Sequence, residues 1–479
     1  MTLKLSSERV ERAASDVAHA LVQAAVHRAL RARDDEYVLA AMQAVVAELR
    51  RAAAAGVDMP LRLQVDELRI YYEGRPLDGP SLQAADLLAR CDEREIAVLA
   101  LDARLTRDEL NRFFDMLTLR ENADSFARGH RAAAMCAFGV RNVKVSLRDP
   151  ADPSDRSQPL RPTDAALRQY QGLADALQHN HALAHSDQEL SLDAAASAVE
   201  ASMRPIDEPS LLLALSMQDD VDRFTIGHSV RVALLALQVA RSIGASSDQL
   251  VRVGAAALMH DIGKSKVPQE VLFKQGRLTA DEWRAMAEHP RLGAQILIEQ
   301  HEQVDPHTIG AAFCHHMAPN GTGYPEPMMS IEPSATSKLI RVCDVFEALT
   351  AVRPYKRALT PIEAFAVMHR NAGEFDTRWL NTFVRALGLF PNGTRVQLTD
   401  GCDAIVVAQT EQPAMPRVQL LNGPDAASGM AGERTIGQTH EGAVTQIARV
   451  VTADTDLLLP AFDAMSTTGA ATPLPESLR

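Results

Sequence analysis

Cysteine is scarce, with five residues in 479 (Cys91, Cys136, Cys314, Cys343 and Cys402). They lack both the paired spacing of a zinc ribbon and the density of a disulfide scaffold, which fits a reducing cytoplasm. Basic side chains are also in deficit: 49 Lys and Arg against 62 Asp and Glu leave a formal net charge of −13. Non-specific binding to duplex nucleic acid needs a basic face to displace counterions, so the charge argues against that class, and any phosphate ligand needs a local cationic site. Long apolar runs are missing too. The stretch "LLLALSM" at 211–217 is far too short to span a bilayer, and the N-terminal "MTLKLSSERVERAASD" has charges where a signal peptide needs its apolar stretch. The sequence therefore predicts a cytoplasmic protein without membrane insertion.

What is present is ordinary globular composition, 46% hydrophobic and 23% charged, in a chain long enough for two or three domains. Residues 8–55 carry apolar positions at helical spacing and predict one or two amphipathic helices ending near Gly56 and Pro60. The stretch "LRLQVDELRIYYEGRPLDG" at 61–79 alternates apolar and polar residues between turn signals, as small antiparallel strands do. "EIAVLAL" and "VRNVKVSL" add strand-like segments, and Thr106 with Glu109 has the spacing of a capping box. Residues 1–150 thus read as an α+β regulatory or interaction module with no catalytic or phospho-acceptor centre, through which a homodimer or a signalling partner would form. A Pro, Asp and Ser-rich linker at 149–163 opens a connector, 151–205, that ends in helix and contains "HNHALAH" (His179, His181, His185), expected to be a solvated helical face. Residues 206–390 are strongly helical, with capping boxes at Thr279/Glu282 and Thr360/Glu363. After Pro391, short strands such as "GTRVQLTDGCDAIVVAQ" predict a small β-rich segment, 391–479, with a frayed tail. The fold class expected is multidomain and mainly α.

Seven of the fifteen histidines fall between 228 and 316: His228, His260, His289, His301, His307, His315 and His316. In "LVRVGAAALMHDIGK" an apolar helix runs into His260 and Asp261. A buried carboxylate needs a partner, a proton or a cation. Adjacent helical residues diverge by about 100°, which suits a carboxylate bridging two metals better than both side chains on one ion, and His315 with His316 repeats the pattern. Asp344 in "LIRVCDVFEALT", His228 in "FTIGHSVRVALLALQVA" and His289 in "EWRAMAEHPRLG" lie on helices with apolar faces. Imidazole with carboxylate and no thiolate suits Fe, Mn or Zn and argues against a structural zinc site.

In order, "HSVRVALLA", "HDIGKSKVPQEVLFKQGRLTADEW", "HPRLGAQIL", "HH", "GTGYP" and "DVFEALTAVRPYKRA" make residues 206–390 resemble the HD-GYP family of HD phosphohydrolases. The resemblance implies an all-helical core around two divalent transition metals, Fe or Mn, that hydrolyses cyclic di-GMP to pGpG or GMP with a metal-bridged hydroxide. It implies His228, His260, Asp261, His289, His315, His316 and Asp344 as metal ligands, Asp261 bridging. Asp261 and Lys264 would be the catalytic pair, and Lys264, Gly323, Tyr324, Pro325, Arg353 and Lys356 would contact substrate. Gly321 and Gly323 allow backbone angles that a Cβ forbids, and Pro325 stiffens the loop exit.

The chain departs from the family pattern at three places. Met317 and Asn320 stand where acids are usual, and Phe224 stands where some relatives bring a carboxylate for a third metal. Two alternatives follow: a weak or inactive sensor of cyclic di-GMP that docks partner proteins, and an HD phosphohydrolase acting on another cyclic dinucleotide.

Overall fold

The computed structural model describes residues 2–30, 32–118, 139–148, 162–203, 226–272, 274, 276–300, 304–326, 331–351, 358–421, 432–440, 443–451 and 456–458. The chain separates into two units, Met1–Gln171 and Gly172–Arg479.

In the first unit the helices α1 (Thr2–Leu30) and α2 (Glu36–Ala54) pack on each other. Asp35 starts α2, its carboxylate accepting the Tyr37 N–H at 2.9 Å. Gly56, with φ 96°, lies just past the helix end, where only glycine is unstrained. The strands are β1 (Leu61–Val65), β2 (Ile70–Tyr72), β3 (Arg75–Pro76), β4 (Ile96–Leu101) and β5 (Val143–Leu147), paired antiparallel in the order β3-β2-β1-β4-β5. The alternation read from "LRLQV" is realised, with Leu61, Leu63 and Val65 buried and Arg62 and Gln64 exposed. Asp66 Oδ1 accepts the Leu68 and Arg69 N–H groups, closing the β1–β2 turn. Glu73 and Gly74, both at positive φ, form the two-residue β2–β3 hairpin.

Two further helices, α3 (Ala85–Asp92) and α4 (Arg107–Thr118), complete this unit, whose core joins Leu21, Met42, Leu49, Leu63, Leu99 and Phe113. The capping box expected at Thr106 and Glu109 is only half formed. Thr106 Oγ1 accepts the Glu109 N–H at 3.3 Å, but the Glu109 side chain turns away to accept from the Arg141 and Asn142 N–H groups and from Asn142 Nδ2. Burial opposes its ionisation, yet these donors hold it below the ordinary glutamate range.

The helix α5 (Pro162–His185) contains the boundary between units, and α6 (Leu192–Ser202) follows. The second unit continues with α7 (Ile226–Ser242), α8 (Ser247–Met259), a 3-10 turn Ile262–Lys266, α9 (Ala280–Ala287), α10 (His289–Ile298), α11 (Pro306–Cys314), α12 (Ala335–Thr350), α13 (Pro361–Arg370) and α14 (Thr377–Leu387). Both capping boxes expected here form, Thr279/Glu282 on α9 and Thr360/Glu363 on α13, and a third one, Ser246/Gln249, starts α8. Helix α7 packs on α8 and α12, α8 on α11, and α10 on both α11 and the 3-10 turn.

After α14 comes an antiparallel sheet in the order β13-β12-β6-β7-β8-β9, from β6 (Arg395–Leu398), β7 (Asp403–Ala408), β8 (Arg417–Leu420), β9 (Glu433–Thr435), β12 (Ile447–Val451) and β13 (Asp456–Leu458). The pair β10 (Thr439–His440) and β11 (Ala443–Val444) forms a separate hairpin. Val396, Leu398, Val406, Val418, Leu420 and Val450 form the sheet's core, joined by Ile362 of α13. Among the described residues no helix is long and apolar enough to cross a membrane. Residues 149–161 of the expected linker lie outside the described residues.

Glu109→Ala strands donors that Glu109 now satisfies, so it should cost about 1–3 kcal/mol. Thermal unfolding should show a midpoint lower by several degrees, while the metal content of the second unit stays unchanged.

Candidate metal centre

The site is assembled by close backbone approach. The apolar helix α8 ends at Met259 and delivers His260 and Asp261, 0% and 2% exposed, into the interior. The next turn lies directly on α10: a Cβ on Gly263 would stand 1.9 Å from the His289 carbonyl oxygen and 2.4 Å from the Gly293 N. Only glycine fits there, and the fit sets Asp261 against His289 at the start of α10. His315 and His316 follow the end of α11, His228 lies in the first turn of α7, and Asp344 lies in the middle of α12.

Asp261 is the hub. Its Oδ1 is 3.1 Å from His289 Nε2 and 3.7 Å from His315 Nε2, while its Oδ2 is 3.3 Å from His260 Nε2 and 3.5 Å from His228 Nε2. His228 Nε2 is also 3.2 Å from Asp344 Oδ1, and His316 Nδ1 is 3.7 Å from Asp344 Oδ2. Two groups with metal-ligand spacing result, Asp261 with His289, His315 and His316, and His228 with His260 and Asp344.

The donor chemistry fits cations. His260 and His289 donate Nδ1–H to the Ala257 and Met286 carbonyls, each at 2.7 Å, and His315 Nδ1 does so to Ala311 and Ala312. This fixes the tautomer and leaves each Nε2 as a lone pair facing inward. The His289 and His315 Nε2 atoms are only 3.2 Å apart, an arrangement that two lone pairs favour only with a cation or proton between them. His260 Nε2 and Asp261 Oδ1 are buried and make no hydrogen bond among the described residues.

The electrostatics agree. Burial, reinforced by positive neighbours, lowers His315 to about 3 and His316 well below its ordinary value, so both are neutral at pH 7. Burial alone would raise Asp261 and Asp344, but Lys264 and His260 hold the first well below the carboxylate range, and His228 and His316 hold the second there. Burial would lower His228, yet the Glu347 charge and its hydrogen bonds raise it well above its ordinary value. The negative field that favours a proton there equally favours a divalent cation.

The loop at 320–325 is pinned beside the centre. Gly323, at φ 96°, lies where a Cβ would meet the His316 carbonyl oxygen at 2.0 Å, and it bridges Met317. Asn320 Oδ1 accepts the Thr322 N–H at 3.0 Å and the Thr322 hydroxyl at 2.6 Å, so the asparagine closes the loop as an Asx turn. Arg341, one helical turn before Asp344, donates to the His316 carbonyl at 3.0 Å and to the Glu374 carbonyl at 2.8 Å. The Tyr324 ring lies on His316, centroids 4.5 Å apart, and against Trp283 at 5.6 Å. Burial and the nearby Asp344 and Asp261 charges raise its phenol, keeping the O–H protonated.

All seven expected ligands therefore converge, as do Gly323, Tyr324 and Lys264, whose ammonium donates to Asp261 Oδ2 at 2.5 Å. His307 is exposed at the start of α11, away from the cluster, and His301, Phe224, Arg353 and Lys356 lie outside the described residues.

Sequence reasoning passed over Glu347 and Arg231, and read His181 only as part of a solvated face. Buried Glu347 accepts from His228 Nδ1 at 2.5 Å and from Arg231 Nε at 2.6 Å. Its signal was legible, a second acid three residues after Asp344 and so on the same helical face, with Arg231 likewise three after His228. His181 does not lie on the solvated face expected of "HNHALAH": His179 and His185 are exposed, but His181 Nε2 is sealed from solvent.

With this geometry in hand, residues 215–378 match the HD domain family. Residues 215–378 are thus similar to an HD domain. Over 223 residues it is 34% identical to the cyclic di-GMP phosphodiesterase PA4108 of Pseudomonas aeruginosa, covering 46% of this chain and 54% of that protein. It is 36% identical to 3'3'-cGAMP-specific phosphodiesterase 3 of Vibrio cholerae, over 35% of this chain and 36% of that protein. The cyclic di-GMP phosphodiesterase response regulator RpfG of Xanthomonas campestris is 34% identical, over 32% of this chain and 41% of that protein. The matched stretch thus spans about half or less of each of these curated relatives. The motifs "HD" and "HH" supply four of the seven clustered side chains, and "GTGYP" supplies the loop beside them.

Glu347→Gln removes the charge that orients His228 while keeping its volume, so Mn(II) affinity should fall about 10- to 100-fold. Titration with Mn(II) followed by elemental analysis measures this, and an unchanged far-UV spectrum separates it from misfolding.

Proposed function

We propose that the HD-GYP domain binds two divalent transition metals, Fe or Mn, and hydrolyses cyclic di-GMP to pGpG or GMP. The observation that carries this reading is the arrangement of Asp261, one oxygen facing His289 and His315 and the other facing His260 and His228. Relatives named as cyclic di-GMP phosphodiesterases support the choice of substrate.

Bound divalent ions supply Lewis acidity that acidifies water and offsets the charge developing on a phosphodiester. Asp261 presents both oxygens from one rigid turn, with His228, His260 and Asp344 on one side and His289, His315 and His316 on the other. His315 and His316, neutral at pH 7, bring lone pairs without a competing proton. Water adds to phosphorus, the bond to the 3′ oxygen breaks, and that oxygen takes a proton. Lys264, at the edge of the cluster, offers an ammonium to a phosphate oxygen, and Arg353 and Lys356 offer further cationic groups to the phosphate or to a guanine edge. Gly323 and Pro325 set the loop that holds Tyr324 beside His316, where ring and phenol can meet the nucleotide.

A second reading keeps the chemistry and changes the base, because other relatives at 30–36% identity are named 3'3'-cGAMP-specific phosphodiesterases. Anaerobically prepared protein loaded with Mn(II) or Fe(II) should turn over cyclic di-GMP, read by product chromatography. A panel including 3'3'-cGAMP ranks the substrates by kcat/KM, and a clear preference for 3'3'-cGAMP would replace the first reading with the second. His260→Ala and Asp261→Ala should lose both metal and turnover, whereas Lys264→Ala should lower kcat about 100-fold with metal content near normal. Full activity in Asp261→Ala contradicts the proposed site.

A further inference from the structure

Helix α5 carries His181 and His185 four residues apart, and therefore on one face. His185 Nδ1 lies 3.0 Å from the Ser265 carbonyl oxygen, and Lys266 Nζ donates back to the His185 carbonyl at 3.2 Å and to Asp187 Oδ1 at 2.6 Å. These contacts seat the end of α5 on the 3-10 turn Ile262–Lys266, which follows Asp261 and contains Lys264. His181, one helical turn back, is thereby set beside that turn. Burial, reinforced by the positive charges of Lys264 and His260 and opposed by Asp261, takes its imidazole down to about 4, so it is neutral. Its Nε2 is sealed from solvent and makes no hydrogen bond among the described residues. Buried polar atoms are nearly always paired, so an orphan nitrogen points to a partner that another state supplies.

Lys264, whose charge acts on His181, is the donor at hand. Its ammonium donates to Asp261 Oδ2, the same oxygen that faces His260 and His228. A divalent cation at Oδ2 competes with the ammonium for that oxygen, because two positive charges beside one buried oxygen repel. Resting on the two-cation reading above, we propose that His181 is a positioning residue that gives Lys264 a second seat. Its Nε2 accepts an N–H of the displaced ammonium and keeps the lysine at the centre, aimed at the phosphate, instead of letting it swing to solvent. The connector helix thus contributes a residue to the centre from outside the matched segment 215–378.

Competitive acylation of Lys264 with acetic anhydride, read by peptide mass spectrometry on the full chain, tests this without relying on turnover. In metal-free protein, wild type and His181→Leu should react equally, because Asp261 holds the ammonium in both. With Mn(II) bound, Lys264 should react roughly tenfold faster in His181→Leu, which has no acceptor to hold the displaced amine. His181→Gln, whose Oε1 can accept the same bond, should return towards wild type. Equal rates in Mn(II)-loaded wild type and His181→Leu overturn the proposal, as does a His181→Gln that behaves like His181→Leu. Should leucine unfold the chain, His181→Asn, too short to reach, replaces it in the comparison. On cyclic di-GMP the losses from His181→Leu and Lys264→Ala should not add, and full additivity also overturns the proposal. Failure to bind Mn(II) overturns this proposal and the functional reading together. A labelling contrast without turnover leaves His181 in place and overturns the functional reading alone.

Discussion

The second unit depends on one constraint, that the Asp261 carboxylate is 2% exposed and so must be neutralised from within. An isolated buried carboxylate costs many kcal/mol, and a single imidazole offsets little of that. Here four imidazole Nε2 atoms and the Lys264 ammonium surround its two oxygens. The imidazoles are themselves committed: three give their Nδ1–H to backbone carbonyls and His228 gives its own to Glu347, so all four Nε2 atoms point to one place. Carboxylate and lone pairs together form a cage for positive charge, and its division into two groups about Asp261 shapes the proposed chemistry.

The rest of the helical core holds that cage to tolerance. Gly263 against the His289 carbonyl fixes the distance from α8 to α10, and Gly323 against the His316 carbonyl fixes the loop to the histidine pair. Arg341 ties the His316 carbonyl to Glu374, and Glu347 ties α12 to α7 through His228 and Arg231. Each joins segments that carry the ligands, so a small displacement at any one of them reaches the ligands. Asn320 shows how a departure from the family pattern is absorbed: its side-chain oxygen makes the turn-closing bonds to Thr322 that a carboxylate would make there.

Much of this was legible in the sequence because ligands at helix ends interrupt apolar runs. His260 and Asp261 after "GAAALM", and His315 and His316 before a glycine-rich turn, carry their own signal. The alternation in "LRLQV" likewise gave β1 and its buried face, since period two admits only one assignment. What stayed hidden depends on tertiary partners. Glu109 satisfies the local capping pattern, yet the Arg141 and Asn142 N–H groups outbid Thr106 for its carboxylate. His181 sits in a polar run that looks solvated, and only the docking of α5 on the 3-10 turn seals its Nε2. Glu347 was visible but unread, because a second acid on an apolar helix gains meaning only once His228 and Arg231 lie opposite.

The central claim is that Asp261 is shared between two cation sites. Anomalous diffraction from crystals of anaerobically loaded protein, collected at the Fe or Mn edge, tests it most directly. The account predicts two peaks flanking Asp261, one among His289, His315 and His316 and the other among His228, His260 and Asp344. A single peak that leaves either group without a cation, or none within reach of Asp261, would contradict it.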